Sequence, residues 1–457
     1  MLVPQKRLLT WFAIVALPFS VLGILVPGAG IVAAMLITAM LLAFLLDAIR
    51  GLGRLDGLRV EVPEIVRVSR DRTARLDLIL RDDQPRRRHL RVGLPWPESI
   101  DSPMPEQRLV TPPDGGELRM SWPFRARERG AFQLDRTCLE TSSPLGFWAV
   151  RSTLPTPAHI RVYPNLLHER RQLAGLFLNR GTLGIHTQRQ VGKGREFEKL
   201  REYIPGDGFE DIHWKATAKR GHPVTKVFQI ERTQEVYVII DASRLSARPV
   251  PVPRREGETE DSGEAVPRHE PILERYLTAA LVLGLAAERQ GDLFGLMTFS
   301  DTVDTFLRAK NGRHHYNACR DALYTVRSRP VSPDFDELAT FIRLRLRRRA
   351  LLLFLTALDD PIQAEGLVKG LDLVSRQHLV LVNMIQPERA RPLFTRPDVT
   401  HARELYDRLG GHLQWHTLRE LEKVLQRRGV AFHLLENEKL SAQLVTHYLG
   451  VKRRQLL

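Results

Sequence analysis

The chain opens on two long apolar runs, passes through alternating apolar and polar positions, and ends in continuous apolar runs separated by amphipathic ones. Leu8–Val26 and Ala29–Leu46 carry no charge over nineteen and eighteen residues. At about 1.5 Å per residue, each approaches the ~30 Å thickness of a bilayer core. Pro27-Gly28 between them is a turn signal that stops one helix and reverses the chain. A signal peptide cleaved near Ala29 is not followed at once by a second full-length apolar span, so residues 1–50 read as a transmembrane hairpin.

Residues 57–165 change rhythm. Leu118, Met120, Trp122 and Phe124 alternate with Arg119, Ser121, Pro123 and Arg125, and Leu76, Leu78 and Leu80 repeat the spacing. Period two marks half-buried strands. Further short pieces at Leu58–Val62, Leu90–Leu94, Ala131–Leu134 and Ile160–Tyr163, with turn signals at Asp114-Gly115-Gly116 and Arg129-Gly130, predict a β-sandwich-like domain. Residues 166–234 read as a linker with a dense polar motif. From 235 to 457 the pattern is strand, helix, strand. Glu235–Ile240, Leu293–Phe299, Leu351–Leu358, Leu379–Ile385 and Val430–Leu435 are strand candidates, and Thr302–Leu307 is an edge strand. Helical spacing over Leu273–Arg289, Arg313–Val326, Asp334–Arg347, Thr400–Arg428 and Lys439–Leu449 predicts an α/β unit with a mostly parallel sheet. Residues 247–270, rich in Pro, Glu and Arg, read as a disordered insert.

Charge sharpens the topology. The net charge is +15, with 57 arginines against 11 lysines. Lys6 and Arg7 precede the first span, Arg50, Arg54 and Arg59 follow the second, and the loop between is uncharged. Positive flanks at both outer ends predict two spans with both termini cytoplasmic. The basic excess then suits a membrane of anionic lipid, at about 1 kcal/mol per well-placed cation. Without aromatic residues interleaved among the cations, nucleic acid is not the predicted partner. Cys138 and Cys319 are too few and too far apart for a zinc cluster or a disulfide framework, and they fit a reducing compartment.

The densest motif is REYIPGDGFEDIHWKATAKR, Arg201–Arg220, followed by Val236–Ile240 ending in Asp241-Ala242-Ser243. Asp207, Asp211, His213, Lys215 and Lys219 form a possible acid–base cluster, although a histidine beside a buried Trp214 is more often a hydrogen-bonded structural group. The cationic run Lys215, Lys219, Arg220 and Lys226 reads as a docking patch or a solvated face. This block, most specifically Phe197–Phe228, resembles the signature of bacterial membrane proteins carrying "domain of unknown function 58". The likeness extends upstream through Ser143-Pro144-Leu145-Gly146-Phe147 and Val162-Tyr163-Pro164. The resemblance implies a von Willebrand factor A-like fold for the α/β unit, a bacterial inner membrane, and a MoxR-type AAA+ ATPase as partner. It makes Arg201, Asp207, His213, Trp214, Lys215 and Lys219 the candidate partner-binding residues.

Metal-binding relatives of that fold hold Mg²⁺ with a D-x-S-x-S turn, a distant Thr and a later Asp. Asp241 and Ser243 match the first two positions. Leu245 stands at the third, with Ser246 out of register; Thr356-Ala357 lacks the later Asp, with Asp359 and Asp360 further on. No threonine in Lys310–Arg320 supplies the distant ligand. Hard oxygen donors are what Mg²⁺ requires, so weak binding or none is predicted, with Asp241 and Ser243 ordering a turn. Walker, G-x-S-x-G, H-E-x-x-H and dinucleotide motifs are absent from the sequence. The sequence therefore predicts a non-enzymatic adaptor working with the ATPase in maturation or assembly of envelope or other complexes. The alternative is a divalent-metal-dependent enzyme or metal-mediated ligand-binding domain at the top of the sheet.

Overall fold

A computed structural model describes residues 1–26, 28–84, 87–112, 116–178, 191–205, 207–229, 234–252, 269–358, 360–393 and 401–454. The chain divides into two compact units, Met1–Asn165 and Leu166–Leu457.

In the first unit, α1 (Lys6–Leu25) and α2 (Ala29–Gly51) are long and apolar enough to cross a membrane. They approach closely where side chains are small: a Cβ on Gly23 would stand 3.3 Å from that of Ala33. Large apolar residues such as Leu17, Ile24, Ile31 and Met35 face outward, as lipid contact requires. The predicted β-sandwich-like domain follows. One sheet orders Leu2–Pro4, Trp148–Tyr163, Gly130–Ser142, His89–Gly93 and Glu106–Val110, with Ile65–Ser69 beside Trp148–Tyr163; the other orders Leu58–Glu61, Thr73–Asp82, Gly116–Ala126 and Ile100–Asp101. Leu76, Leu78, Leu80, Trp122 and Phe124 are buried with Leu90, Val92, Ile160 and Val162. The alternation expected for these residues thus places them in the core. The predicted Asp114-Gly115-Gly116 turn lies largely outside the described residues.

The second apolar helix and the sandwich meet at one carboxylate. Asp47, in the last turn but one of α2, is 1% exposed. It accepts from Ser143 Oγ at 2.6 Å and from the backbone N–H groups of Leu145 at 2.9 Å and Phe147 at 3.2 Å. Ser143 Oγ accepts in turn from Trp148 N, and the Trp148 indole donates to the Phe44 carbonyl at 2.9 Å. The Ser143–Phe147 turn is thereby fixed to the end of the second span.

The second unit is a three-layer α/β domain. Its sheet contains β1 (Glu235–Asp241), β2 (Leu293–Phe299), β3 (Val303–Lys310), β4 (Leu351–Leu355), β5 (Leu379–Ile385) and β6 (Ala431–Leu435), in the order β3-β2-β1-β4-β5-β6. All neighbours are parallel except β3, which returns antiparallel along β2 as the edge strand predicted there. Val236, Val238 and Ile240 pack against α5 (Ile272–Arg289), α6 (Arg313–Leu323) and α10 (Leu440–Arg453). Tyr237 and Ile239 face the other way, toward α7 (Phe335–Arg345), α8 (Pro361–Val374) and α9 (Ala402–Arg427). Gly295 on β2 is required by this packing, since a Cβ there would fall 2.3 Å from the Tyr237 ring.

Two expectations need correction. The stretch 166–234 is not simply a linker: α3 (Leu167–Leu178) belongs to this unit, and Leu166 and Leu173 enter its core. The insert 247–270 begins and ends in order, because Pro249–Pro251 pairs antiparallel with His269–Pro271; its interior, 253–268, lies outside the described residues.

Replacing Asp47 by Ala is expected to destabilise the first unit by on the order of 3 kcal/mol, because it strands several buried donors at once. Denaturant unfolding of the detergent-solubilised protein measures this. An unchanged midpoint would mean that water takes over the carboxylate's role.

Candidate functional site

Five strands of the sheet run parallel, so their carboxyl ends gather along one edge, where open α/β folds place a crevice. There, β1 ends in Asp241, β2 is followed by Ser300, and β4 by Thr356. All three are fully buried. Asp241 Oδ1 accepts from Ser243 N at 2.8 Å, and Oδ2 accepts from the Thr356 hydroxyl at 2.6 Å. Ser243 Oγ accepts from Leu245 N at 3.3 Å and caps the short 3-10 turn Arg244–Ala247. Asp241 and Ser243 therefore order the turn.

The remaining expected ligand positions turn elsewhere. Leu245 is buried, and Ser246 Oγ bonds back to the Ser243 carbonyl at 2.7 Å. Ala357 has no donor atom on its side chain. Asp360 caps α8 by accepting from Ile362 N, and Asp359 lies outside the described residues. Among the described residues, no cluster of three or more His, Cys, Asp or Glu is disposed to hold a metal. Asp241 and Ser243 are thus brought together with Thr356, while the rest of the oxygen set is not assembled around them.

Sequence reasoning missed a second polar group at the same edge. Arg329 Nη1 donates to Ser300 Oγ and Asp304 Oδ1, each at 3.0 Å, and lies 2.9 Å from Asp301 Oδ1. Its backbone N–H reaches the Ala242 carbonyl at 2.7 Å, tying the loop before α7 to the end of β1. The Ser300 hydroxyl and then Arg329 hold the Asp301 carboxyl below the ordinary carboxylate range. The signal was available: Ser300-Asp301 follows an apolar run, as Asp241-Ala242-Ser243 does.

Asp241 differs in kind. No cation is paired with it among the described residues, and burial pushes its carboxyl above the usual range, against hydrogen bonds from Ser243 and Thr356 that lower it.

The Arg201–Arg220 motif folds as a small module. A two-stranded antiparallel sheet joins Val191–Glu202 to Val224–Gln229 and encloses α4 (Trp214–Arg220). Arg201 pairs with Asp207 at 2.7 Å, and Asp207 also accepts from Ile204 N at 3.1 Å. That backbone bond, then Arg201, lowers the Asp207 carboxyl. Tyr203 N and His213 N bond to the adjacent carbonyls of Pro223 and Val224, so the two ends of the predicted turn do meet. His213 Nδ1 accepts from Ala216 N at 3.1 Å and caps α4. Asp207 faces Arg201, while His213 caps α4.

Trp214 corrects the sequence reading. Expected to be buried, it is 68% exposed, alongside Phe209 at 76% and Ile204 at 56%. Lys215, Lys219 and Arg220 are exposed on the same short helix.

The buried, uncompensated carboxyl gives a test. A carboxyl raised in the folded state costs stability when it ionises, so its penalty is absent at low pH and grows as pH rises past the ordinary value of about 4. Asp241→Asn should therefore match or exceed the wild-type melting temperature at pH 7, with the gap closing towards pH 4. A large loss at pH 7, or Mg²⁺ stabilisation that the variant abolishes, would show that the negative charge is used.

Residues 199–250 and 263–398 match the family described as "Protein of unknown function DUF58". The match begins two residues before Arg201, breaks within the 247–270 insert, and leaves the sandwich outside. No curated protein matches the chain. Among solved structures, it is similar to an aerotolerance-related membrane protein from Bacteroides fragilis NCTC 9343 carrying multiple mutations to serines. Identity is 14% over 47% of this chain and 99% of that one, with a TM-score of 0.27. It is also similar to the conserved hypothetical protein BatB from Bacteroides thetaiotaomicron, at 13% identity over 48% and 99% of the two chains, with a TM-score of 0.28. With two apolar helices long enough to cross a membrane ahead of it, residues 199–250 and 263–398 of this chain match the DUF58 family.

Proposed function

We propose that the protein is a membrane-anchored adaptor whose second unit faces the cytoplasm and engages a MoxR-type AAA+ ATPase during maturation or assembly of envelope or other complexes. The observation that carries this reading is the exposed apolar set Ile204, Phe209 and Trp214 beside Lys215, Lys219 and Arg220. Exposed aromatic residues at a rigid turn are the usual anchors of a protein interface, and a cationic rim adds orientation and rate. Arg201 and Asp207 support the docking surface from beneath. The ATPase is chosen by resemblance to the family and by the basic rim, which suits an acidic partner face. The metal-dependent alternative is less well supported, because both Asp241 oxygens are already engaged inside the protein.

The anchor makes a first expectation. With cations flanking both spans and none between them, both termini lie in the cytoplasm. Alkaline phosphatase fused after Leu457 should be inactive and a fluorescent reporter there bright; strong phosphatase activity reverses the placement.

The docking surface makes a second. Trp214→Ala should weaken ATPase capture by more than about tenfold, the scale of a buried aromatic anchor. Lys215→Glu with Lys219→Glu should weaken it too, in a salt-sensitive way, while melting curves stay within the small range expected of surface changes. Undiminished capture by all these folded variants would move the interface elsewhere.

A further inference from the structure

Leu351 of β4 pairs with Val236 of β1, and Leu355 with Ile240, so the segment before β4 lies at the edge of the sheet opposite Asp241. That segment, Arg343-Leu344-Arg345-Leu346-Arg347-Arg348-Arg349, holds five arginines in seven residues, and the sequence has no acid between Glu337 and Asp359. All five arginines are exposed, as is Leu344 at 70%, whereas Leu346 and Ala350 are buried. Gln377 donates to the carbonyls of Leu346 at 3.3 Å and Arg347 at 3.0 Å, and Leu379 N donates to Ala350 O at 3.0 Å. The backbone is thus held against the start of β5 while the guanidinium groups stay in solvent. Among the described residues, no acid forms an ion pair with Arg343, Arg345, Arg347 or Arg348. Arg376, beside Gln377, is a further exposed cation; it and Arg428 share Asp372, at 3.5 and 3.4 Å.

Arg343 and Arg345 lie in the last turn of α7, where cations complement the helix dipole. That role does not extend to Arg347 and Arg348, which follow the helix. We propose that this edge is a membrane-docking surface, and that its occupant is the anionic headgroup layer of the bilayer entered by the chain's own apolar helices. Clustered cations around an exposed leucine suit such a layer: phosphates meet the guanidinium groups, and the leucine enters the boundary beneath them. The attraction is about fivefold in binding per well-placed cation. The tether adds to it, since α1 and α2 are long and apolar enough to cross a membrane and so present lipid at high effective concentration. Nucleic acid is disfavoured: no aromatic residue stands between Arg343 and Arg349, and the nearby Phe341 ring is covered by Arg345 at 5.7 Å. The proposal rests on the membrane anchor and not on the partner surface of the Arg201–Arg220 module. Docked in this way, the opposite edge, with Asp241 and Arg329, turns away from the bilayer.

The test uses the full chain in lipid nanodiscs. Cys138→Ser removes the exposed thiol, the buried Cys319 stays unlabelled, and Thr340→Cys, one turn before Leu344 at an exposed position, carries a fluorophore. Quenching by lipid with a nitroxide headgroup reports contact with the bilayer. In discs of about one third phosphatidylglycerol, quenching should be at least about twice that in phosphatidylcholine alone, and salt at about 1 M should abolish the difference. Arg343→Gln with Arg347→Gln and Arg348→Gln should weaken docking on the order of a hundredfold, so that quenching falls to the uncharged-lipid level. Lys215→Glu with Lys219→Glu should leave it unchanged, which separates this surface from the one proposed for the ATPase. The lipid and salt comparison needs no change to the patch, so it decides the question even where the triple variant folds poorly. Equal quenching in the two lipids, or undiminished quenching in a folded triple variant, would overturn the proposal. So would a short RNA or an acidic peptide held by these arginines while lipid charge has no effect.

Discussion

The structure of the second unit rests on the complete dehydration of one strand. Glu235–Asp241 is hydrogen-bonded along both edges and covered on both faces, so no position between Val236 and Ile240 can carry a polar side chain cheaply. Polarity is displaced to the strand's carboxyl end, where Asp241 must find its partners within the protein. It finds Ser243 and Thr356. The same rule operates one strand over, where Ser300 and the acids after it are drawn together by Arg329. That edge is closed here by the chain's own hydrogen bonds.

That internal closure moves attention to the surface. Polar groups at the sheet edge satisfy each other, whereas the Arg201–Arg220 module leaves large apolar groups in water. Its own polar residues are spent on shape: Asp207 holds a turn, His213 starts a helix, and the two backbone bonds to Pro223 and Val224 clamp the ends. What is left over is Ile204, Phe209 and Trp214, unburied within their unit.

Much of the fold was legible in the sequence. Alternation over Leu118–Phe124 marks a strand because successive side chains face opposite sides, and continuous runs such as Leu351–Leu355 mark strands buried on both faces. The strands at Leu2–Pro4 and Glu106–Val110 escaped notice because edge positions need few apolar residues; their stability comes from backbone pairing. Within the candidate site, the degenerate oxygen set around Asp241 and Ser243 was readable from Leu245 and Ala357. The exposure of Trp214 was not, because a tryptophan beside Ile212 looks the same in sequence whether the turn points it inward or outward. Arg329 was missed since its partners lie about thirty residues upstream and only the folded β2–β3 hairpin brings them to it.

The carboxylate at Asp47 has a consequence for biogenesis. Its partners lie 96 to 100 residues further along the chain. During synthesis, α2 enters the bilayer well before the Ser143–Phe147 turn leaves the ribosome, and until then the aspartate can be satisfied only by water at the membrane surface. The hairpin therefore waits with a hydrated carboxylate at the rim of the bilayer, and the last long strand of the sandwich closes over it. A sandwich that folded out of register would leave that charge unmatched, so membrane insertion and soluble folding check one another through a single side chain.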